Sequence, residues 1–146
     1  MIAYFDTSAF VKLLVEEPGA DEAAAIWNRA RLAFSTRLLY PEARAAVAAA
    51  ARGGRTRSRE VATLRGELEG FWRDISRIEV TPALAARAGD LAEEHGLRGY
   101  DAVHLSSALE IEAAEPVLVT SDDSMARAAE ALGLTTARLP AQSSAG

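Results

Sequence analysis

A short apolar segment late in the chain constrains the fold more than any other feature. Residues 117–119 read Val-Leu-Val, follow Pro116, and run directly into the polar residues 120–123. Because side chains alternate between the two faces of a strand, a strand without polar alternation must be buried on both faces. Such strands are typical of a parallel sheet that helices cover on both sides.

Strands and helices alternate along the rest of the chain. Runs of β-favouring residues predict further strands at 2–5, 32–35, 77–80 and 135–139. Periodic apolar residues, capping residues and breaks predict helices from residue 7 to Pro18-Gly19 and at 20–31, 38–52, 58–74, 82–95, 100–113 and 125–132. This alternation predicts an α/β fold, a three-layer sandwich with a mainly parallel central sheet.

Apolar periodicity also predicts which helix residues face the core. Ala24, Trp27 and Ala30 are expected to face inward, and Trp72 lies beside the apolar stripe of the helix at 58–74. Either tryptophan could stack on a nucleic-acid base, but a position on a helical stripe favours the core.

The composition is typical of a globular protein. At 146 residues the chain is expected to form one domain over residues 1–140, with a frayed tail at 141–146. It contains no cysteine, which leaves oxygen atoms or the two histidines, His95 and His104, as ligands for any metal. Without a basic, apolar leader or a long apolar run, we expect a cytoplasmic protein with no membrane segment.

The net charge of −5 disfavours a nucleic-acid partner, because phosphates are usually bound by Lys and Arg. The charge is unevenly distributed, however, since Arg52, Arg55, Arg57 and Arg59 form a local basic run. This run is either a solvated turn between two helices or a phosphate contact.

Four acidic residues occupy positions where strands end or helices begin. Asp6 and Asp122 follow predicted strands, whereas Glu42 and Asp101 lie near the starts of predicted helices. Each acid alone could be a helix cap or a first-turn residue. Together, several carboxylates at the ligand-binding edge of a sheet would repel one another unless a cation lay among them, and oxygen ligands favour Mg²⁺ or Mn²⁺. Such a site activates water and stabilises phosphoryl charge, which predicts phosphodiester hydrolysis.

Four segments resemble, in order, the motifs of PIN-domain nucleases. They are Asp6-Thr7-Ser8-Ala9 after a strand, Pro41-Glu42 in a helix, Tyr100-Asp101-Ala102-Val103-His104-Leu105, and Val119-Thr120-Ser121-Asp122. Length and motif order are similar to those of VapC-type toxins of type II toxin–antitoxin modules, and the resemblance spans residues 2–139.

The resemblance implies a PIN-like fold, a site and an activity. Asp6, Glu42, Asp101 and Asp122 match the catalytic acids that bind one or two Mg²⁺ or Mn²⁺ ions in this family, and Thr7 and Thr120 match hydroxyls that help to hold the carboxylates. The implied activity is endonucleolytic cleavage of RNA by the toxin of a toxin–antitoxin pair. The implied partners are the RNA substrate, a cognate antitoxin whose arm occupies the acidic groove, and a second copy in a homodimer.

Asp123 leaves a choice between two adjacent acids. Asp122 is favoured as the ligand because it completes a Thr-x-Asp pattern with Thr120, whereas Asp123 would point elsewhere and could cap the last helix.

The histidines and the single lysine have simpler explanations than catalysis. His104, three residues after Asp101, could approach the site, but an oxygen-rich Mg²⁺ site needs no imidazole, which favours a packed or surface histidine. His95 before Gly96 is typical of a helix end. Lys12 could reach a phosphate, although a surface lysine is favoured.

The acidic groove also predicts how a partner could inhibit it. The planar fork of an arginine pairs with carboxylates in two parallel hydrogen bonds and could plug the groove. The toxins that this chain resembles are also covered by an apolar antitoxin helix, so we expect an apolar, partner-covered surface near Phe10, Leu14 and residues 38–47.

Two other functions stay open at this point. One is a receiver-like signalling module, in which an acidic cluster binds Mg²⁺ and an aspartate accepts a phosphoryl group. The lack of any lysine after Lys12 argues against it. The other is a PIN-like scaffold that binds RNA without cutting it, which the complete set of four acids disfavours.

Overall fold

Strands and helices alternate as the sequence predicts in the computed structural model, which describes residues 1–54 and 58–141, except for the side chains of residues 58 and 59. The strands are β1 Ile2–Phe5, β2 Leu32–Thr36, β3 Ile75–Ile78, β4 Val117–Thr120 and β5 Thr135–Arg138. The helices are α1 Thr7–Val11, α2 Ala20–Arg29, α3 Leu39–Arg52, α4 Ser58–Asp74, α5 Pro82–His95, α6 Gly99–Glu110 and α7 Asp123–Ala131, with a 3-10 turn at Glu112–Ala114.

The strands form one five-stranded sheet in the order β3-β2-β1-β4-β5, and every neighbouring pair is parallel. Ala3 in the central strand lies opposite Ala33 of β2 on one side and Val117 of β4 on the other. The predicted α/β sandwich with a mainly parallel sheet is confirmed.

Alternate residues of the central strands enter two separate cores. Phe5 and Val119 pack with residues of α1 to α4, whereas Tyr4 and Leu118 pack with residues of α5 to α7. Full burial of a large apolar side chain contributes about 1.5–3 kcal/mol, so both faces of the sheet must be covered by helices. The result is the three-layer arrangement.

The strand order places a crevice at the carboxyl end of the central strand. From β1 the chain moves outward through β2 to β3, and then returns to add β4 on the opposite side of β1. In open parallel sheets, ligands bind where the order reverses in this way. The functional site is therefore expected where β1 and β4 end.

The first helix is much shorter than predicted, because it ends at Val11 rather than at Pro18-Gly19. The buried Lys12 donates from Nζ to the Pro18 carbonyl at 2.7 Å and to Glu17 Oε1 at 3.1 Å. These bonds tie the loop after the helix to the helix end. Both sequence interpretations of Lys12, a surface lysine or a phosphate contact, are wrong.

Two predictions about which side chains are buried or exposed also need correction. Ala24 is exposed and Ala23 is buried, so the inward stripe of α2 starts one residue earlier than expected although the helix begins at Ala20 as predicted. Phe10 and Leu14 belong to the core instead of an apolar surface, at 0% and 7% exposure. The partner-covered surface predicted beside them is therefore wrong at these two residues.

Trp72 is a core residue, as predicted, and Trp27 is half-buried and packs against the same core. The ring of Trp27 lies edge-on to Phe5, with centroids 5.5 Å apart, and Trp72 is 9% exposed beside Tyr40. None of the helices in the described ranges combines the length and apolar character needed to span a bilayer.

The basic run and the expected tail fall only in part within the described residues. Arg52 is exposed in the last turn of α3. Arg55, Arg57, the side chain of Arg59 and the residues 142–146 of the expected tail lie outside the described residues.

Candidate active site

The four predicted acids lie at the carboxyl edge of the sheet. Asp6 follows β1, Asp122 follows β4, and Glu42 and Asp101 lie in the first turns of α3 and α6. A hydrogen bond to Asp101, together with the charges of Asp101, Asp122 and Glu42, raises the pKa of the Arg98 guanidinium. Arg98 is thus close to three of the four carboxylates.

Asp6 is a buried carboxylate held by three donors. Its side chain accepts from the Ser8 hydroxyl at 2.7 Å, from the Ala9 backbone N–H at 3.0 Å, and from the Thr120 hydroxyl. Burial raises the pKa of Asp6, while the neighbouring His104 imidazole and the three donors lower it. A desolvated carboxylate in this position is stabilised by a cation.

The two hydroxyls that hold Asp6 also join the ends of β1 and β4. Ser8 Oγ accepts from the Ser121 backbone N–H at 2.9 Å, and Thr120 Oγ1 accepts from the Asp122 backbone N–H at 3.0 Å. Ser8 was not among the predicted supporting residues. Its position two residues after Asp6, in the first turn of the helix that Asp6 caps, was the available signal.

Asp122 and Asp123 have different surroundings. Asp122 caps α7 by accepting two backbone N–H groups at 2.8 and 3.1 Å, and its other oxygen lies 3.8 Å from Arg98. The side chain of Asp123 is 77% exposed and pairs with Arg138 at 3.6 Å. Asp122 therefore faces the other acids, and the expectation that Asp123 caps the last helix is wrong.

Asp101 is paired with an exposed arginine. Arg98 donates from Nε to Asp101 Oδ2 at 3.0 Å, and the Arg98 side chain is 82% exposed. The same guanidinium reaches toward Asp122. One cationic group thus lies between two carboxylates that come from different elements.

His104 contacts the site more closely than the sequence suggested. Its Nε2 lies 3.0 Å from Glu42 Oε1 and 3.0 Å from the Thr7 hydroxyl, and its Nδ1 lies 2.9 Å from the Tyr4 hydroxyl. The histidine is packed, as expected, but it is also a neighbour of an acid. The available signal was its place one helical turn after Asp101, on the same face of α6.

A comparison with protein families identifies the fold. Residues 3–131 match the PIN domain. The chain belongs to the PIN-domain family.

Individual proteins are similar to this chain over almost its whole length. This PIN domain is 44% identical over 141 residues to Ribonuclease VapC49 of Mycobacterium tuberculosis, covering 97% of this chain and 96% of the relative. It is similar to the crystal structure of PAE2754 from Pyrobaculum aerophilum, with a TM-score of 0.66, 25% identity, and 93% and 92% of the two chains covered. It also has the fold of VapBC2 from Rickettsia felis, crystallised with a promoter DNA fragment, with a TM-score of 0.64 and 16% identity over 95% and 99% of the chains.

The donor set of this PIN domain fits a hard divalent cation. Carboxylate oxygens are the ligands that Mg²⁺ and Mn²⁺ prefer, and the four acids with their hydroxyl neighbours offer only oxygen. Within residues 1–54 and 58–141, no three acidic or histidine side chains already converge as a formed ion site. Arg98 and His104 instead lie against oxygens of Asp101 and Glu42.

Proposed function

We propose that this PIN domain is a Mg²⁺- or Mn²⁺-dependent endoribonuclease, with Asp6, Glu42, Asp101 and Asp122 as metal ligands. The observation that carries the proposal is that Asp101, Asp122 and Glu42 lie around Arg98 at the sheet edge where Asp6 ends β1. The 44% identity to Ribonuclease VapC49 over 97% of the chain supports the ribonuclease assignment.

We assign different roles to the residues of this edge. A bound Mg²⁺ or Mn²⁺ would supply an activated water and stabilise charge on the phosphoryl oxygens. Ser8 and Thr120 orient the carboxylate of Asp6 through their hydroxyls. The cap of α7 fixes one oxygen of Asp122 and leaves the other directed to the shared space near Arg98.

The two adjacent acids supply a matched test of this assignment. Purified wild-type protein should cut RNA with Mn²⁺ or Mg²⁺ and should stop when EDTA is added. Asp122→Asn should lose more than about a hundredfold in rate, because loss of an outer-shell partner alone costs about 10–100-fold. Asp123→Asn is the control and should keep its rate. Undiminished cutting in EDTA or in Asp122→Asn would overturn the proposal.

We also propose that an antitoxin is the partner of this nuclease. The support is the fold shared with VapBC2 and the guanidinium of Arg98 lying against Asp101 and Asp122. A partner's arginine could occupy the same carboxylates, because its planar fork matches their geometry. Co-expression with the neighbouring gene product should yield an inactive complex that regains activity when the partner's basic arm is trimmed. If the chain does not bind the neighbouring gene product and cuts RNA equally well with and without it, the toxin assignment is wrong but the nuclease assignment stands.

The proposed second copy would cover an apolar groove beside the site. The groove has a volume of about 440 Å³, is lined by residues that include Leu38, Ala88, Ala92 and Val103, and is bordered by Tyr100, which is 62% exposed. Light scattering on the purified chain should give a dimer. Tyr100→Glu should give a monomer, because it places a charge in the groove, whereas the remote surface variant Leu132→Glu should remain dimeric.

A further inference from the structure

A buried histidine links three elements that surround the candidate site. His104 of α6 is 2% exposed and contacts Tyr4 of β1, Thr7 of α1 and Glu42 of α3. In the described residues, no buried side-chain nitrogen or oxygen lacks a hydrogen-bond partner, so this network is satisfied. Its position differs from that of an ordinary core histidine because one of its neighbours is a predicted ligand.

The neighbours determine which ring nitrogen carries the proton. An ionised carboxylate only accepts hydrogen bonds, so Nε2, 3.0 Å from Glu42 Oε1, must be the donor. On the opposite side of the ring, the Tyr4 hydroxyl lies 2.9 Å from Nδ1, and a phenol can donate to an unprotonated nitrogen. Both contacts therefore favour the same tautomer.

We infer that His104 is a positioning residue: Tyr4 holds its ring in the Nε2–H tautomer, and Nε2–H orients the carboxylate of Glu42 for metal binding. This inference rests on the proposed function of Glu42 as a ligand. One oxygen of Glu42 is engaged by the ring, and the other is left for the cation. An outer partner of this kind orients a ligand without touching the metal.

The first test uses two amide variants that differ in reach. His104→Gln places its amide nitrogen near the position of Nε2 and can still donate to Glu42, whereas His104→Asn places it near Nδ1 and cannot. Mn²⁺ affinity, measured by calorimetry, should fall about 10–100-fold in His104→Asn and should be largely retained in His104→Gln. Equal affinities in wild type and folded His104→Asn would overturn the inference. A wild type that neither binds Mn²⁺ nor cuts RNA would instead overturn the proposed function.

The second test begins with the wild-type protein. The chain has only two histidines, so ¹⁵N resonances of the imidazole rings can be assigned easily, with His95 at the end of α5 as internal reference. In wild type at neutral pH, His104 should show a single Nε2–H tautomer. Tyr4→Phe should produce a mixture of tautomers and a several-fold weaker Mn²⁺ affinity. An Nδ1–H tautomer in wild type would contradict the inference even if every variant of His104 failed to fold.

Discussion

The four acids at the carboxyl edge of the sheet fall into two pairs. Buried side chains contact one pair, whereas an exposed side chain contacts the other. The histidine side consists of Asp6 and Glu42. Asp6 is 3% exposed and is bonded to the fully buried Thr120, and Glu42 contacts His104, which is 2% exposed. These partners cannot leave without breaking the packing between the sheet and its helices.

The arginine side consists of Asp101 and Asp122, which share the guanidinium of Arg98. Because the Arg98 side chain is 82% exposed, its ion pairs contribute only about 0–1 kcal/mol, and it can leave at little cost. The difference indicates that the histidine side is organised before a cation arrives. On the arginine side, a cation bound as proposed would have to replace Arg98.

If the histidine side and the arginine side belong to one catalytic site, an acid on either side should be needed for RNA cleavage. Asp6→Asn and Asp101→Asn should each reduce RNA cleavage by more than about a hundredfold, since each keeps the shape of the side chain but removes ligand charge. Initial rates at saturating Mn²⁺ measure the effect, and circular dichroism checks the fold. Full activity in one variant would show that its side is not part of the catalytic site.

Metal binding should stabilise both sides together. A ligand that binds only the folded state stabilises it by about 2.7 kcal/mol at a hundredfold excess over Kd. Thermal unfolding of wild type should therefore shift clearly upward in Mn²⁺, and Asp6→Asn should shift much less. Arg98→Gln should reach the wild-type shift at lower Mn²⁺, because the competing guanidinium is gone. Equal shifts in wild type and Asp6→Asn would place the ion elsewhere.

Loss of one donor on each side should have unequal effects on stability. Thr120→Val removes the hydroxyl that donates to buried Asp6, and an unsatisfied buried acceptor costs about 1–3 kcal/mol. Arg98→Gln should cost no more than about 0–1 kcal/mol. Urea unfolding in EDTA measures both changes. Similar losses would mean that the arginine side is as firmly organised as the histidine side.

The smallest expected effect is a pH dependence that is specific to the histidine side. Since burial raises the pKa of Asp6 in the folded state, Asp6 stabilises the fold at acidic pH, and this contribution is lost as pH rises through the raised pKa. In EDTA, Asp6→Asn should therefore be more stable than wild type at pH 8, and the gap should narrow as the pH is lowered. Parallel stability curves from urea unfolding between pH 8 and pH 5 would contradict this expectation.

Local sequence signals predicted most of the elements. Pro82 and Gly96 bound α5 as expected, because proline suits the first helical turn and Gly96 adopts the left-handed backbone that ends a helix, at φ 64°. The Val-Leu-Val segment became the doubly buried β4, and Asp6 follows β1 as predicted. These features depend on a few neighbouring residues and are therefore readable from the chain.

Predictions failed where distant contacts decide the outcome. Lys12 had the appearance of a surface residue, yet Pro18 and Glu17 offer it buried acceptors after a turn that no periodicity indicated. Phe10 and Leu14 were expected beside a partner-covered surface only because of the resemblance to antitoxin-bound toxins, yet both are buried in the core. The inward face of α2 was predicted one residue too late. Consecutive alanines in this helix give no distinct apolar stripe from which the face could be predicted.

The parallel α/β class and the positions of the four acids at strand ends and helix starts could be read from the amino-acid sequence, because burial patterns and capping positions are local properties. The groups that hold those acids depend on tertiary contacts. His104 and Glu42 are 62 residues apart in the chain, and Asp6 and Thr120 are 114 apart. Their contacts exist because the sheet order places β4 beside β1 and packs α6 close to α3. Hydrogen bonds of this kind depend on side-chain positions within about 3 Å, which no local pattern specifies.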